Sequence, residues 1–268
     1  MRFSTIERAD PAISADGLDF VTVKSPALRR RADVTLCVPP AARGARDLPI
    51  VILLHGVYGS HWAWALKGGA HLTAARLIAQ GSLPPVALLM PSDGLSGDGT
   101  GYVSQVGLDA ERWIVEEVPT LARLLIGGCT ERSPLLVAGL SMGGFGALRL
   151  AGKYPQRLAA AAALSAVTEV EQLDGLMEES RAGWSSSPSD LSVLAALTGA
   201  SGPLPPLRID CGRDDPLLDA NRALHRALEQ AGVSHLYAEG PGGHDWPYWA
   251  RTLEDTLAFF GDVLSGRD

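Results

Sequence analysis

Cysteine is scarce: the 268 residues hold three, Cys37, Cys129 and Cys211, widely spaced and with no C-x-x-C pair. So small and scattered a set excludes a disulfide framework and a structural zinc site, and reads as three small buried residues. Nowhere do the ~18 apolar residues of a membrane helix run together. Residues 1–8 carry charge where a secretory leader needs an apolar core. The expectation is a soluble protein of the reducing cytoplasm. Positive charge is also in deficit, with 23 Lys and Arg against 30 Asp and Glu and a formal net charge of -7. That is the wrong sign for nucleic acid or an anionic membrane surface. The one basic run, Arg29-Arg30-Arg31, reads as a solvated turn, and no internal repeat or low-complexity segment is present.

What is present is enough apolar material, 46% of the chain, to bury a substantial core. A single α/β domain spanning residues 1–268 accommodates that length. The stretch that organises it is Gly139-Leu140-Ser141-Met142-Gly143, set between the apolar run 135–138 and the helix-like run 145–150. A strand, a sharp turn and a helix with serine at the turn form a nucleophile elbow, in which the flanking glycines permit close packing. Upstream, residues 19–24 and 32–38 read as a hairpin. Residues 49–54 are a continuous apolar run of the kind buried on both faces, ending in His55-Gly56-Val57-Tyr58-Gly59. Trp62 and Trp64 lead into a helix reaching about Gln80, and both are expected in packing. Residues 85–90 form another buried strand, followed by a turn-rich loop, 91–101, that serves either as a connector or as a cleft wall. Residues 111–125 have helical spacing. Residues 158–164 are alanine-rich, and their position after the elbow helix argues for a strand against their helix propensity.

The segment 166–206 is too long for an ordinary connection and reads as a lid-like helical insertion with a solvated acidic side. Regular structure resumes with a strand at 207–211, a helix at 217–231, a last strand at 234–238 and a closing helix at 246–264. Ser141 needs a base within hydrogen-bond reach. Of the six histidines, His244 alone lies in a glycine-rich loop after the last strand, while His225 and His235 suit packing or surface roles. His61 and His71 have no acidic partner motif, so no metal is expected. The histidine needs a carboxylate. Asp210 falls within the late strand and Asp219 within the next helix, leaving Asp214 and Asp215 unseparated by spacing. Val57 N–H, in a loop leaving a central strand, and Met142 N–H, at the start of the elbow helix, are the expected oxyanion donors.

Together, Leu54-His55-Gly56, Gly139-Leu140-Ser141-Met142-Gly143-Gly144, Asp210-Cys211-Gly212-Arg213-Asp214-Asp215 and Gly242-Gly243-His244 resemble the esterase D-like (putative-esterase) family of α/β-hydrolases. That family includes S-formylglutathione hydrolases, feruloyl and acetyl xylan esterases and mycolyltransferases. The resemblance spans nearly the whole chain. It implies an eight-stranded, mostly parallel sheet with helices on both faces, a serine triad without metal or cofactor, and hydrolysis of small carboxylic esters. In the family pattern Gly-x-x-Asp the acid falls on Asp215. The loop after Met90 departs from its relatives, which often carry a shorter one. An acyltransferase or thioesterase of the same fold is the alternative, since only the group that removes the acyl differs. A non-catalytic binding protein would be expected to have lost a triad member, and none is missing. The acyl group, the alcohol and the oligomeric state, self-association included, are not encoded in any motif.

Overall fold

The computed structural model describes residues 3–10, 12–14 and 17–267. Met1 and Arg2, part of the reading against a leader, lie outside the described residues. The strands are β1 (Ile6–Arg8), β2 (Leu18–Ser25), β3 (Arg30–Cys37), β4 (Ile50–Leu54), β5 (Ala87–Pro91), a small ribbon of β6 (Ser104–Gln105) and β7 (Leu108–Asp109), β8 (Leu135–Leu140), β9 (Ala160–Leu164), β10 (Leu207–Gly212) and β11 (Leu236–Gly240). Apart from the ribbon they form one sheet in the order β1-β2-β3-β5-β4-β8-β9-β10-β11. From β5 to β11 every neighbour is parallel, while β1, β2 and β3 join antiparallel. Among the described residues the sheet therefore has nine strands where eight were expected. The extra one is β1, exposed along its whole length, too short and too polar to show a period.

The two faces explain why the central strands are apolar throughout. In β4, Ile50, Ile52 and Leu54 enter one core layer, and Val51 and Leu53 enter the other. In β9, Ala161 and Ala163 face the first layer and Ala160 and Ala162 the second. Successive side chains of a strand point to opposite faces, so a strand covered by helices on both sides must be apolar at every position. The short alanine side chains of β9 admit close helices, and tertiary packing overrides their helix propensity.

The helices are α1 (Ala63–Leu66), α2 (Ala70–Ala79), α3 (Ala110–Arg112), α4 (Val118–Leu125), α5 (Met142–Lys153), α6 (Pro188–Leu191), α7 (Val193–Thr198), α8 (Leu218–Gln230) and α9 (Trp246–Ser265). The single helix expected up to Gln80 is broken between α1 and α2, where Gly69 takes a left-handed φ of 61°. The helix expected at 111–125 contains a wide π turn, Trp113–Glu117, between α3 and α4. Pro119 has no N–H for the carbonyl of Val115, and Arg157 donates to that oxygen at 3.5 Å instead.

Segment 166–206 is helical in part, with a 3-10 turn at Val170–Leu173 followed by α6 and α7. Its Asp190 is buried and accepts from Lys153 and, at 3.4 Å, from Arg149 of α5, whose guanidinium is also fully buried. Glu111 closes the same network through Arg149, Lys153 and Tyr154. Burial pushes the Asp190 carboxyl up, and hydrogen bonds from Lys153, Ser185 and Ser187 more than offset it, leaving the group below its ordinary range. The segment is thus tied to the helix that follows the elbow. Two of its other acidic residues are exposed yet engaged: Asp174 pairs with Arg181, and Glu179 accepts the N–H of Asp98 at 3.0 Å.

Candidate active site

The chain leaves β8 at Ser141 with φ 53° and ψ -119°, a conformation costly for any residue with a side chain. The surroundings hold it there. Ser141 N–H donates to Leu164 O at 2.9 Å, and its carbonyl accepts from Phe145 N–H and Val167 N–H. The turn also depends on glycine on both sides. A Cβ on Gly139 would stand 2.2 Å from the backbone of Gly143, and one on Gly143 would stand 2.3 Å from Leu54 O. Strand, elbow and helix therefore meet backbone to backbone.

At the end of β10 the chain approaches the loop after β11 equally closely. Arg213 N–H donates to Gly240 O and Asp214 N–H to Gly242 O, and a Cβ on Gly212 would come within 2.3 Å of Gly242 O. This pairing turns Asp214 outward and Asp215 inward, the first exposed and the second buried. His244 Nδ1–H donates to the Asp215 carboxylate at 2.9 and 3.1 Å, which leaves Nε2 to accept from Ser141 Oγ–H at 3.0 Å. Of the two aspartates that spacing left open, Asp215 is the one at the imidazole. Burial pushes the Asp215 carboxyl up, but hydrogen bonds from His244, Ser165 and Leu217 N–H more than offset it and hold the group below the usual carboxylate range. Asp210 lies in β10, paired with Arg208, and His225 bonds His235 at 2.8 Å. Neither reaches the elbow.

Ahead of the elbow, β4 delivers the loop that begins at His55. Asp93 N–H donates to His55 Nε2 at 3.1 Å, so Nδ1 carries the proton and donates to Gly56 O at 2.7 Å. Tyr102 Oη–H donates to His55 O, and Tyr58 N–H is taken by Asp98 O at 2.9 Å. Among the described residues, the N–H groups of Val57 and Met142 have no acceptor within the chain. The loop 91–101 is ordered by Asp93, whose carboxylate receives Leu95 N–H, Thr100 N–H and Thr100 Oγ1–H. It serves as a brace behind the His55 loop and contributes nothing to the cavity in front of Ser141. That cavity, about 310 Å³, is lined by Val57, Tyr58, Trp62, Lys67, Trp246 and Trp249 among others, with Ser141 and His244 in its wall.

The model of the family described as Putative esterase matches residues 25–260. The chain belongs to this esterase family. An acetyl esterase of Caldicellulosiruptor saccharolyticus is 27% identical to this esterase over 242 residues, 82% of this chain and 85% of that one. Among solved structures, a ferulic acid esterase is 25% identical with a TM-score of 0.74, covering 92% of this chain and 97% of its own. A fluorophosphonate-binding serine hydrolase of Staphylococcus aureus, 22% identical, superposes with a TM-score of 0.77 over 90% of this chain and 97% of its own. The esterase keeps Trp64 for packing, its indole N–H donating to Leu54 O, but spends Trp62 on the cavity, where packing had been expected for both. His55 entered the sequence reading only as part of the Leu54-His55-Gly56 motif, with no role of its own, and Ser165 carried no signal. Ser165 Oγ accepts from the indole N–H of Trp249 at 3.1 Å, and Trp249 stands edge-on to the His244 ring. Among the described residues no helix is long and apolar enough to cross a membrane.

Proposed function

We propose that this esterase hydrolyses small carboxylic esters through an acyl-enzyme on Ser141. The observation that carries the reading is the continuous line from Asp215 through His244 to Ser141, with contacts of 2.9 and 3.0 Å. In this reading His244 Nε2 takes the Oγ proton as the oxygen attacks the ester carbonyl, and the tetrahedral oxyanion forms between Val57 N–H and Met142 N–H. The imidazolium is stabilised by Asp215, whose depressed carboxyl remains ionised, and it returns the proton to the departing alcohol. Water then takes the place vacated by the alcohol and gives a proton to His244 Nε2 as it attacks the acyl carbonyl, and His244 returns that proton to Ser141 Oγ as the acid leaves. The start of α5 adds its dipole to the oxyanion site.

A cavity of about 310 Å³ lies at the small end of ligand sites, which favours short or compact acyl groups. The acetyl and ferulic acid esterases among the relatives make acetyl and feruloyl esters the first candidates. A turnover panel of acetyl, butyryl, octanoyl and feruloyl esters with S-formylglutathione tests this, with acetyl or feruloyl expected to lead. Octanoyl turned over faster than acetyl would overturn the size argument. Segment 166–206, joined to Tyr58 through Leu176 O, serves in this reading as a lid-like part of one domain. The three buried free cysteines suit a reducing cytoplasm, which cell fractionation would test. Burial raises all three thiols, Cys37 and Cys129 to about 11 and Cys211 to about 12, and none of them lines the cavity in front of Ser141.

A further inference from the structure

Lys67 stands at the outer side of the cavity in front of Ser141. It follows the last turn of α1, where its N–H donates to Ala63 O at 2.9 Å. Its Nζ lies 5.6 Å from the centre of the Trp246 ring, within the range where an indole face attracts a cation. Trp246 is itself fixed, edge-on to Trp64 at 5.6 Å and to Trp249 at 5.4 Å. Gly68 leaves the space its ring fills, since a Cβ there would stand 2.9 Å from Trp246. The ammonium is therefore docked on a rigid wall. Among the described residues no carboxylate pairs with Lys67, and its recorded partner is the indole. Among the described residues that line this cavity Lys67 alone is permanently charged and none is aspartate or glutamate, in a chain of net charge -7.

Apart from Ser141 and the two histidines the cavity wall is mainly aromatic and apolar, and a cation there without a carboxylate partner is a site for one negative charge. We propose that Lys67 is a specificity residue that selects esters bearing a carboxylate remote from the scissile bond. This rests on the hydrolytic reading of Ser141. A carboxylate matches the single charge available. A phosphate dianion would leave a charge unpaired, because the cavity offers no arginine and no second lysine. The carboxylate can sit on the acyl part or on the alcohol part, and paired substrates separate the two.

The acyl-side pair is the para-nitrophenyl monoester of adipic acid and its methyl ester. The alcohol-side pair is para-acetoxybenzoate and its methyl ester. In each pair, kcat/KM for the acid is divided by kcat/KM for the neutral ester, in wild type, Lys67→Met and Lys67→Arg. Methionine keeps the length of the stem and removes the charge. The expected result is a ratio that falls about three- to tenfold in Lys67→Met for one pair, mostly through KM. Lys67→Arg should retain most of that ratio, and added salt should erode it in wild type. Ratios unchanged by Lys67→Met in both pairs overturn the proposal. Failure of the hydrolytic reading looks different: wild type would then hydrolyse none of the four esters, or Ser141→Ala would hydrolyse them as well. In that event calorimetric binding of adipamate and para-acetamidobenzoate, the unreactive amide counterparts of the two acids, to the protein with and without Lys67→Met decides the role of Lys67 alone. Weaker binding of one acid without the lysine supports the proposal, and equal Kd values for both overturn it.

Discussion

Two cavities lie at opposite ends of the same sheet, and the larger one is not where the chemistry converges. At the amino ends of β10 and β11 a cavity of about 900 Å³ is lined by residues of α7, the turn 200–206, the turn 231–235 and the end of α9. At the carboxyl ends of β4 and β8 lies the smaller one, about 310 Å³, which holds Ser141 and His244. In the large cavity the polar groups answer one another: Arg267 pairs with Asp262 at 3.2 Å, and His235 bonds Val233 O and His225. At the small cavity three segments converge: the elbow brings Ser141 Oγ and Met142 N–H, the loop after β4 brings Val57 N–H, and the loop after β11 brings His244. Loops leaving the carboxyl ends of parallel strands deliver such groups next to helix N-termini. Volume alone does not.

The sharpest break of this comparison is Ser141→Ala, expected to lower kcat by about 10⁴ to 10⁶ with little loss of stability. Loss of labelling by a fluorophosphonate should accompany it. A variant still labelled and active would move the nucleophile away from the small cavity. Next in size is the pair Asp215→Asn and Asp214→Asn. The first supports the wrong imidazole tautomer and should cost about 10⁴ in kcat. The second alters an exposed, salt-screened charge and should stay within about threefold. The reverse outcome would put the acid on the outward-facing residue. Asp215 also has a stability signature. Its carboxyl is held below the ordinary value in the fold, so its contribution is present above about pH 4 and is lost as pH falls through the depressed value. The Tm difference between wild type and Asp215→Asn should shrink on acidification, and a gap that widens would contradict the assignment.

A smaller effect, on folding, comes from Gly139→Ala. The new Cβ would meet Gly143 backbone at 2.2 Å, and backbone cannot yield as a side chain tip can. A destabilisation of about 3 kcal/mol, or roughly 6 to 12 °C in Tm, should follow with loss of turnover. A melt unchanged from wild type would mean that the elbow does not need this glycine.

These glycines also mark what could be read before any coordinates. Gly139 and Gly143 flank the serine at a spacing that, between an apolar run and a helix-like run, fits a close strand-to-helix turn, and the order of loop, nucleophile, acid and histidine follows the sheet. The hairpin of β2 and β3 and the alanine-rich β9 were legible from pattern and place. What was hidden depends on contacts across the fold. Trp246 opens α9 in sequence and looks like any helical aromatic, yet it meets Lys67 from the other end of the chain. The tautomer of His55 is set by Asp93 N–H, a backbone group with no sequence signature. The π turn at Trp113–Glu117 leaves Trp113, Ile114, Val118 and Leu121 buried, so the apolar spacing looked like that of an unbroken helix.

The mildest change probes the other side of the comparison. Ala200 lies in the turn after α7 and lines the large cavity, at the end of the sheet away from Ser141. Ala200→Leu adds apolar volume at the wall of that cavity and breaks no ion pair. Substitutions of this kind usually stay within about 0.5 kcal/mol, so Tm should move by no more than about 2 °C. If the two ends of the sheet are independent, kcat/KM for an acetyl ester should stay within about twofold, because distant sites without shared partners do not couple strongly. A tenfold loss with an unchanged melt would show that the large cavity communicates with the small one. The path would then run along β10, which begins in one cavity at Leu207 and ends at Gly212, three residues before the carboxylate that holds His244.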